Sequence, residues 1–338
     1  MNSLPLIWSS LLACLVVIGI AGVKLSRYGD IIAEKSGLSR GWIGLTLLAT
    51  VTSLPELVTG VTSVTVANVP DIAVGDILGS CVFNLLIIVV LDVLYRKESI
   101  FSRARQGNVV SAGSGIALIG FTGFNLLLYR DNGFPALGHV GLYTPIILLL
   151  YVLAMRSLYR YEQANVSEYV EDRAELYPDI TLQQAVRGYA LAAIAVVAAG
   201  IWLPFIANDL AVAMQWEQSF VGTLFVAAVT SAPEVVVTVA ALRMGAVDLA
   251  IGNLFGSNLF NIAILAIDDL AYLPGPLFAD VSISHAASAF SAMMMSGLAV
   301  VGLILRPVSR ILRMASWVSL LLFAIYFLNV LFLYLYGH

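Results

Sequence analysis

Apolar runs recur along the whole 338-residue chain, and about 20 such residues are what an α-helix needs to cross a bilayer. Ten segments of this kind are predicted, at 5–24, 41–67, 72–95, 108–128, 139–157, 187–207, 219–242, 247–267, 283–305 and 314–336. The runs are continuous and do not alternate, so a transmembrane β-barrel is not the expectation. Hydrophobic residues are 60% of the chain and charged residues 11%, with a mean hydropathy of +0.94. The predicted fold is an all-α membrane protein with ten transmembrane helices. Trp8, Trp42, Trp202, Trp216 and Trp317 fall near segment ends, where amphipathic rings favour the interface.

The basic residues test that division. With alternating crossings, 16 of the 17 Lys and Arg fall on one side, and Arg130 alone falls on the other. By the positive-inside rule the rich side is cytoplasmic and both termini lie outside. The expected location is the plasma or inner membrane, as a multi-pass protein. The first run, from Leu6 to Val23, has no Lys or Arg before it, unlike a cleaved signal peptide, and is read as a retained helix. Cys14 and Cys81 lie inside apolar runs and imply no disulfide framework. No basic stripe invites nucleic acid.

Two words recur. Residues 44–56 read GLTLLATVTSLPE and residues 222–234 read GTLFVAAVTSAPE. The segments after them also match, AVGDILGSCVFN at 73–84 and AIGNLFGSNLFN at 250–261. Glu56 and Glu234 stand 178 apart, and Asn84 and Asn261 stand 177 apart. Ten helices divide into two sets of five, and an odd number per set inverts the second against the first. The expected organisation is a first repeat over 1–157, a cytoplasmic linker over 158–186 and a second repeat over 187–338.

The most polar words in the apolar runs are the repeated ones, and their chemistry suits a cation. A carboxylate inside a spanning helix costs several kcal/mol unless it is paired or neutralised. Glu56 and Glu234 lie well inside their segments with no basic residue at comparable depth. Together they carry charge to match one divalent ion, two monovalent ions or two protons. Pro55 and Pro233 precede them, and each removes a helical donor and frees carbonyls one turn back. Ser53, Ser231, Ser80 and Ser257 offer hydroxyls, and Asn84 and Asn261 offer amide oxygens. An all-oxygen set suits Ca2+ or Na+ and disfavours soft metals. Gly75 and Gly79, like Gly252 and Gly256, are spaced for close helix packing.

TSLPE and TSAPE, each followed by a GS-x-x-x-N segment, resemble the two α-repeats of the Ca2+/cation antiporter superfamily, and look nearest to its prokaryotic Na+/Ca2+ exchangers. The resemblance spans both repeats. It implies that Glu56 and Glu234 coordinate Ca2+ and also serve Na+, and that Thr52 and Thr230 offer backbone carbonyls to Ca2+. It gives Ala49 and Ala227 as carbonyl donors of flanking Na+ sites. Ser53, Ser231, Ser80 and Ser257 belong to those same sites, and Asn84 and Asn261 to the central pair. Four positions depart from the family pattern. Val51 and Val229 stand where Gly is usual, Asp76 where Asn is usual, and Asn261 where some exchangers carry an acid.

The implied activity is exchange of Ca2+ for Na+ by alternating access at a midplane site, with no cofactor and no covalent chemistry. Segments 1 and 6 are expected to slide past a core of segments 2, 3, 7 and 8. A Ca2+/H+ or Na+/H+ exchanger is the alternative. A cation channel and an intramembrane enzyme stand behind it, since no Ser-His or Ser-Lys pair occurs within the membrane. Asp76 is expected either beside the ion path or solvated at a segment entrance. Asp92, Asp268 and Asp269 are given no role. Met293, Met294 and Met295 are read as packing or lipid contact.

Overall fold

The computed structural model describes residues 3–35, 49–96, 98–103, 106–131, 135–165, 177, 179–307, 310–311 and 315–337. The opening of the second predicted segment, 41–48, and residues 166–176 and 178 of the polar stretch lie outside them, as does Trp42.

The chain is mostly helical. The helices are α1 (Leu4–Lys35), α2 (Leu54–Thr62), α3 (Pro70–Leu94), α4 (Gln106–Asp131), α5 (Tyr143–Asn165) and α6 (Leu182–Met214). After them come α7 (Gln218–Val221), α8 (Ala227–Thr230), α9 (Ala232–Arg243), α10 (Val247–Ala271), α11 (His285–Leu305) and α12 (Trp317–Tyr336). Two π-helical turns, Ser63–Ala67 and Gly222–Val226, extend α2 and join α7 to α8. A two-residue hairpin, Ala136–Leu137 against Val140–Gly141, precedes α5. Among the described residues, 7 helices are long and apolar enough to span a membrane, and a bent pair makes up to 8. That makes the chain a multi-pass membrane protein. α1, α6 and α12 show large apolar side chains outward, among them Leu12, Leu191, Ile194 and Phe327, as a lipid-facing surface requires.

The motif words break their helices where the prolines dictate. Ser53 (φ −88°, ψ 14°) and Ser231 (φ −82°, ψ 8°) leave the helical region just before α2 and α9 begin. Pro55 and Pro233 then fall in the first turn, where a missing N–H costs nothing. The second break bends the chain by 46°. After each break comes a long helix, α3 after the first and α10 after the second, 25 residues each, starting at positions 177 apart and ending at positions 177 apart. They cross each other at the centre of the molecule.

Close approach at the crossings depends on glycine. A Cβ added to Gly79 of α3 would lie 2.6 Å from Thr223 Cα and 2.9 Å from Ala227 Cβ. A Cβ added to Gly256 of α10 would lie 3.1 Å from Ala49 Cβ. α1 and α6 pack along each other and over the motif helices. Gly22 of α1 abuts Pro233 so closely that a methyl there would overlap the ring, and Gly200 of α6 abuts Val58 and Thr59.

Asp92 and Asp269, 177 apart, turn out to fasten the helix ends. Both are fully buried. Asp92 Oδ1 accepts from the Ile100 amide at 2.8 Å. Its Oδ2 accepts from the Ser316 amide at 2.8 Å and the Ser319 hydroxyl at 2.7 Å. Asp269 Oδ1 accepts from the Leu277 amide at 2.7 Å and the Tyr143 hydroxyl. Its Oδ2 accepts from the Gly141 amide at 2.9 Å and the Thr144 hydroxyl. Asp92 therefore holds the start of α12, and Asp269 holds the start of α5. Tyr143 also stacks on Phe278, with centroids 4.0 Å apart. Both carboxylates are buried, so each satisfies amides that burial would otherwise leave without an acceptor.

Candidate functional site

The two breaks bring the repeated words together. Glu56 and Glu234 are both at 0% exposure, each in the first turn of its helix. Placing an acid there sets its charge against the positive end of the peptide dipoles.

The serines pair crosswise. Ser53 Oγ donates to Glu234 Oε1 at 3.3 Å, and Ser231 Oγ donates to Glu56 Oε1 at 3.2 Å. The serines of the crossing helices stay with their own word: Ser80 Oγ to Glu56 Oε1 and Ser257 Oγ to Glu234 Oε1, each at 3.5 Å. Ser231 Oγ also lies 3.0 Å from Ser80 Oγ, and Thr52 and Ser257 hydroxyls lie 3.3 Å apart. Each glutamate thus turns Oε1 toward serines and leaves Oε2 buried with no hydrogen-bond partner. A buried acceptor without a donor loses its hydration and gains nothing back. Two such oxygens in one dry site are open ligands for a cation or seats for a proton.

The remaining expected residues gather at the same place. Thr52 and Thr230 are fully buried; the Thr52 hydroxyl donates to Ala49 O at 3.1 Å, and Thr230 Oγ1 lies 3.3 Å from Ala227 O. Those carbonyls also accept from Ser53 N and Ser231 N, so in this conformation the Ala49 and Ala227 oxygens are engaged by the chain itself. Asn84 Nδ2 donates to Asn258 Oδ1 at 3.0 Å, which leaves Asn84 Oδ1 buried and without a partner. Both polar atoms of the buried Asn261 lack a partner.

Asn258 belongs to this group although its residue type gave no warning. Its counterpart 177 earlier is Cys81, and the two meet: Asn258 Nδ2 donates to Cys81 O at 3.2 Å. The offset between the words already placed positions 81 and 258 in register, which was the available signal. Asp76, expected either beside the path or solvated, is at 0% exposure. Its Oδ1 accepts from Thr230 Oγ1 at 2.7 Å, and its Oδ2 has no partner.

Among the described residues no three His, Cys, Asp or Glu side chains converge as a metal cluster. A cation held between the glutamates would therefore draw on hydroxyl, amide and carbonyl oxygens, the donor set of hard, weakly held ions. A cleft lined by Ala49, Thr50, Asn108, Ser111, Asp248, Gly252 and Gly256 reaches the wall of this site. Asn108 and Asp248 are bonded across it at 2.8 Å.

Comparison with known proteins gives a consistent set of likenesses. The family model described as "Sodium/calcium exchanger protein" matches residues 6–158 and 185–335, both stretches that hold the motif words. The inner membrane protein YrbG of Escherichia coli (strain K12) is 28% identical over 278 residues, covering 78% of this chain and 82% of YrbG. Among solved structures, the sodium-calcium exchanger NCX_Mj aligns with a TM-score of 0.62 at 20% identity, over 96% of this chain and 98% of that one. The H+/Ca2+ exchanger CAX aligns with a TM-score of 0.70 at 13% identity, over 97% and 81%. At those identities the structures establish a shared fold.

Proposed function

Since the chain belongs to the sodium/calcium exchanger family, within the Ca2+/cation antiporter superfamily, we propose that it exchanges Ca2+ for Na+ by alternating access at the Glu56–Glu234 site. The family is one of transporters, and cation antiport is its common activity. The observation that carries the finer reading is the pair of buried glutamates, each with one oxygen on the other word's serine and the other oxygen without a donor.

In this reading Glu56 and Glu234 supply the charge that balances Ca2+. Thr52 and Thr230 carbonyls, and Asn84 and Asn261 amide oxygens, complete its shell. Ser53, Ser231, Ser80 and Ser257, with the Ala49 and Ala227 carbonyls, serve flanking Na+ positions. Two unneutralised carboxylates cannot be sealed away from water cheaply. The site therefore occludes only when loaded, and loading with one cation type exchanges for the other. Ions are the cargo, no cofactor is required, and the bilayer is the partner.

The finer architecture belongs to the same proposal. Ten crossings arise when the seven long helices are joined by the bent pair α7–α9, by α5, and by the predicted segment 41–67, of which α2 is a described part. They form two inverted sets of five, over 1–157 and 187–338, with the linker 158–186 cytoplasmic and both termini outside. Supporting this are the equal lengths of α3 and α10, the paired breaks at Ser53 and Ser231, and the crossed anchoring by Asp92 and Asp269. α1 and α6, seated by Gly22 and Gly200 on the opposite motif helices, are the elements that slide.

Everted vesicles loaded with radioactive Ca2+ and given a Na+ gradient or a proton gradient separately test the reading. Ca2+ flux driven by Na+ at constant pH is expected. Flux driven by a pH jump without Na+ would assign protons as the counter-ion. Flux with neither gradient and no counter-ion requirement would make the chain a channel.

A further inference from the structure

The two halves match closely around the glutamates, but the acids beyond them do not match. Asp76 has Asn253 as its counterpart at the 177 offset, and Asp268 has Leu91. The extra carboxylates therefore sit on one flank of the central site, with an amide and an aliphatic side chain at the corresponding positions of the other.

Asp268 is the more exposed to inference because nothing satisfies it. It is at 0% exposure, and neither Oδ1 nor Oδ2 has a hydrogen-bond partner. Its neighbour Asp269, by contrast, binds two amides and two hydroxyls. The Asp268 carboxylate lies against Gly60, where an added Cβ would be 2.5 Å from Oδ2 and 2.8 Å from Oδ1. Gly60 is four residues past Glu56 on α2, about 6 Å along the axis and on the same face. Asp268 is likewise seven residues past Asn261 on α10, two turns along the face that carries the site. Asp76 touches Thr230 of the centre, and it lies within electrostatic reach of Glu56 and of Asp268.

A carboxylate with two bare oxygens in a dry interior is retained only where something neutralises it. Among the described residues no Lys or Arg is buried, and neither Asp268 oxygen has a partner. We propose that Asp268 and Asp76 form a second cation site beside the central one, which a hard cation of the transported class occupies on its way in or out. This rests on the central reading and extends it. The outer site makes the two faces of the exchanger unequal, because an ion arriving by the Asp268 flank meets charge before it meets Glu56. Gly60 is what lets that carboxylate approach α2, since any side chain there would fill the space the ion and its oxygens need.

Equilibrium dialysis of the purified full-length chain against radioactive Ca2+ in Na+-free buffer tests the proposal. The wild-type chain is expected to bind two Ca2+ of unequal affinity. Asp268→Asn should bind one, at unchanged tight affinity. Asp76→Asn keeps the side chain's shape and an oxygen for Thr230, and it should weaken the second Ca2+ about tenfold or more. Glu56→Gln should lose the tight ion and keep the weaker one. A single Ca2+ on the wild-type chain, or two on Asp268→Asn or Asp76→Asn with wild-type affinities, overturns the outer site and leaves the central one standing. Two Ca2+ bound normally by Glu56→Gln would overturn the central site and this one with it.

Discussion

The hydroxyl of Ser53 donates to Glu234 Oε1 at 3.3 Å across 181 residues of sequence. Each motif serine thereby serves the acid of the other motif. Removing either hydroxyl strips a charged acceptor of a donor, worth about 1.5–3 kcal/mol for such a bond. Ser53→Ala and Ser231→Ala are expected to change apparent Ca2+ affinity by about tenfold or more, and by similar amounts. Glu56→Gln and Glu234→Gln keep the shape and remove the charge, and should abolish exchange in proteoliposomes while the protein still inserts. Normal Ca2+ uptake by either glutamine variant would refute the assignment.

The crossings predict an unequal response to the smallest substitution. At Gly79 a methyl meets Thr223 Cα at 2.6 Å, and backbone cannot rotate away. At Gly256 it meets only the Ala49 methyl, at 3.1 Å. Overpacking of this kind costs about 1–3 kcal/mol. Gly79→Ala should lower the melting midpoint in detergent clearly more than Gly256→Ala does. Equal midpoints would contradict the packing described.

Asp92 and Asp269 predict a loss of stability without a change of selectivity. Asp92→Ala leaves the Ile100 and Ser316 amides without an acceptor and takes the shorter of the Ser319 hydroxyl's two bonds. Each orphaned group costs about 1–3 kcal/mol when buried. The variant should melt early or accumulate poorly, and the fraction that folds should bind Ca2+ as wild type does. A weakened Ca2+ affinity in folded Asp92→Ala would place that acid in the ion path instead.

Gly22 tests the sliding of α1. An added methyl overlaps Pro233, next to Glu234. If α1 moves across that proline during exchange, Gly22→Ala should slow Ca2+ flux several-fold while equilibrium Ca2+ binding changes less. Flux and binding reduced in parallel would indicate a static packing role.

Much of this was legible from residue order because it depends on local chemistry. Prolines at 55 and 233 fix where helices stop, and buried acids without bases mark where charge must be neutralised. What escaped was tertiary. Asp92 and Asp269 lie near helix ends, where an acid looks solvated, and their amide partners are up to 224 residues away. Asp76 was ambiguous for the same reason: its burial depends on Thr230, 154 positions on. The π turns at 63–67 and 222–226 leave no mark in hydropathy, since one extra residue per turn alters no residue type. Asn258 was hidden behind a cysteine at its matching position.

Because the acid of each half secures the closing helix of the other, severing the chain between Asn165 and Tyr177 would not yield two self-sufficient pieces. Each fragment would hold a carboxylate made for a helix it lacks, and a helix whose first turn has lost its anchor. The two fragments would have to find each other before either could settle, so the covalent join between them serves as a tether while the interlock supplies the cohesion.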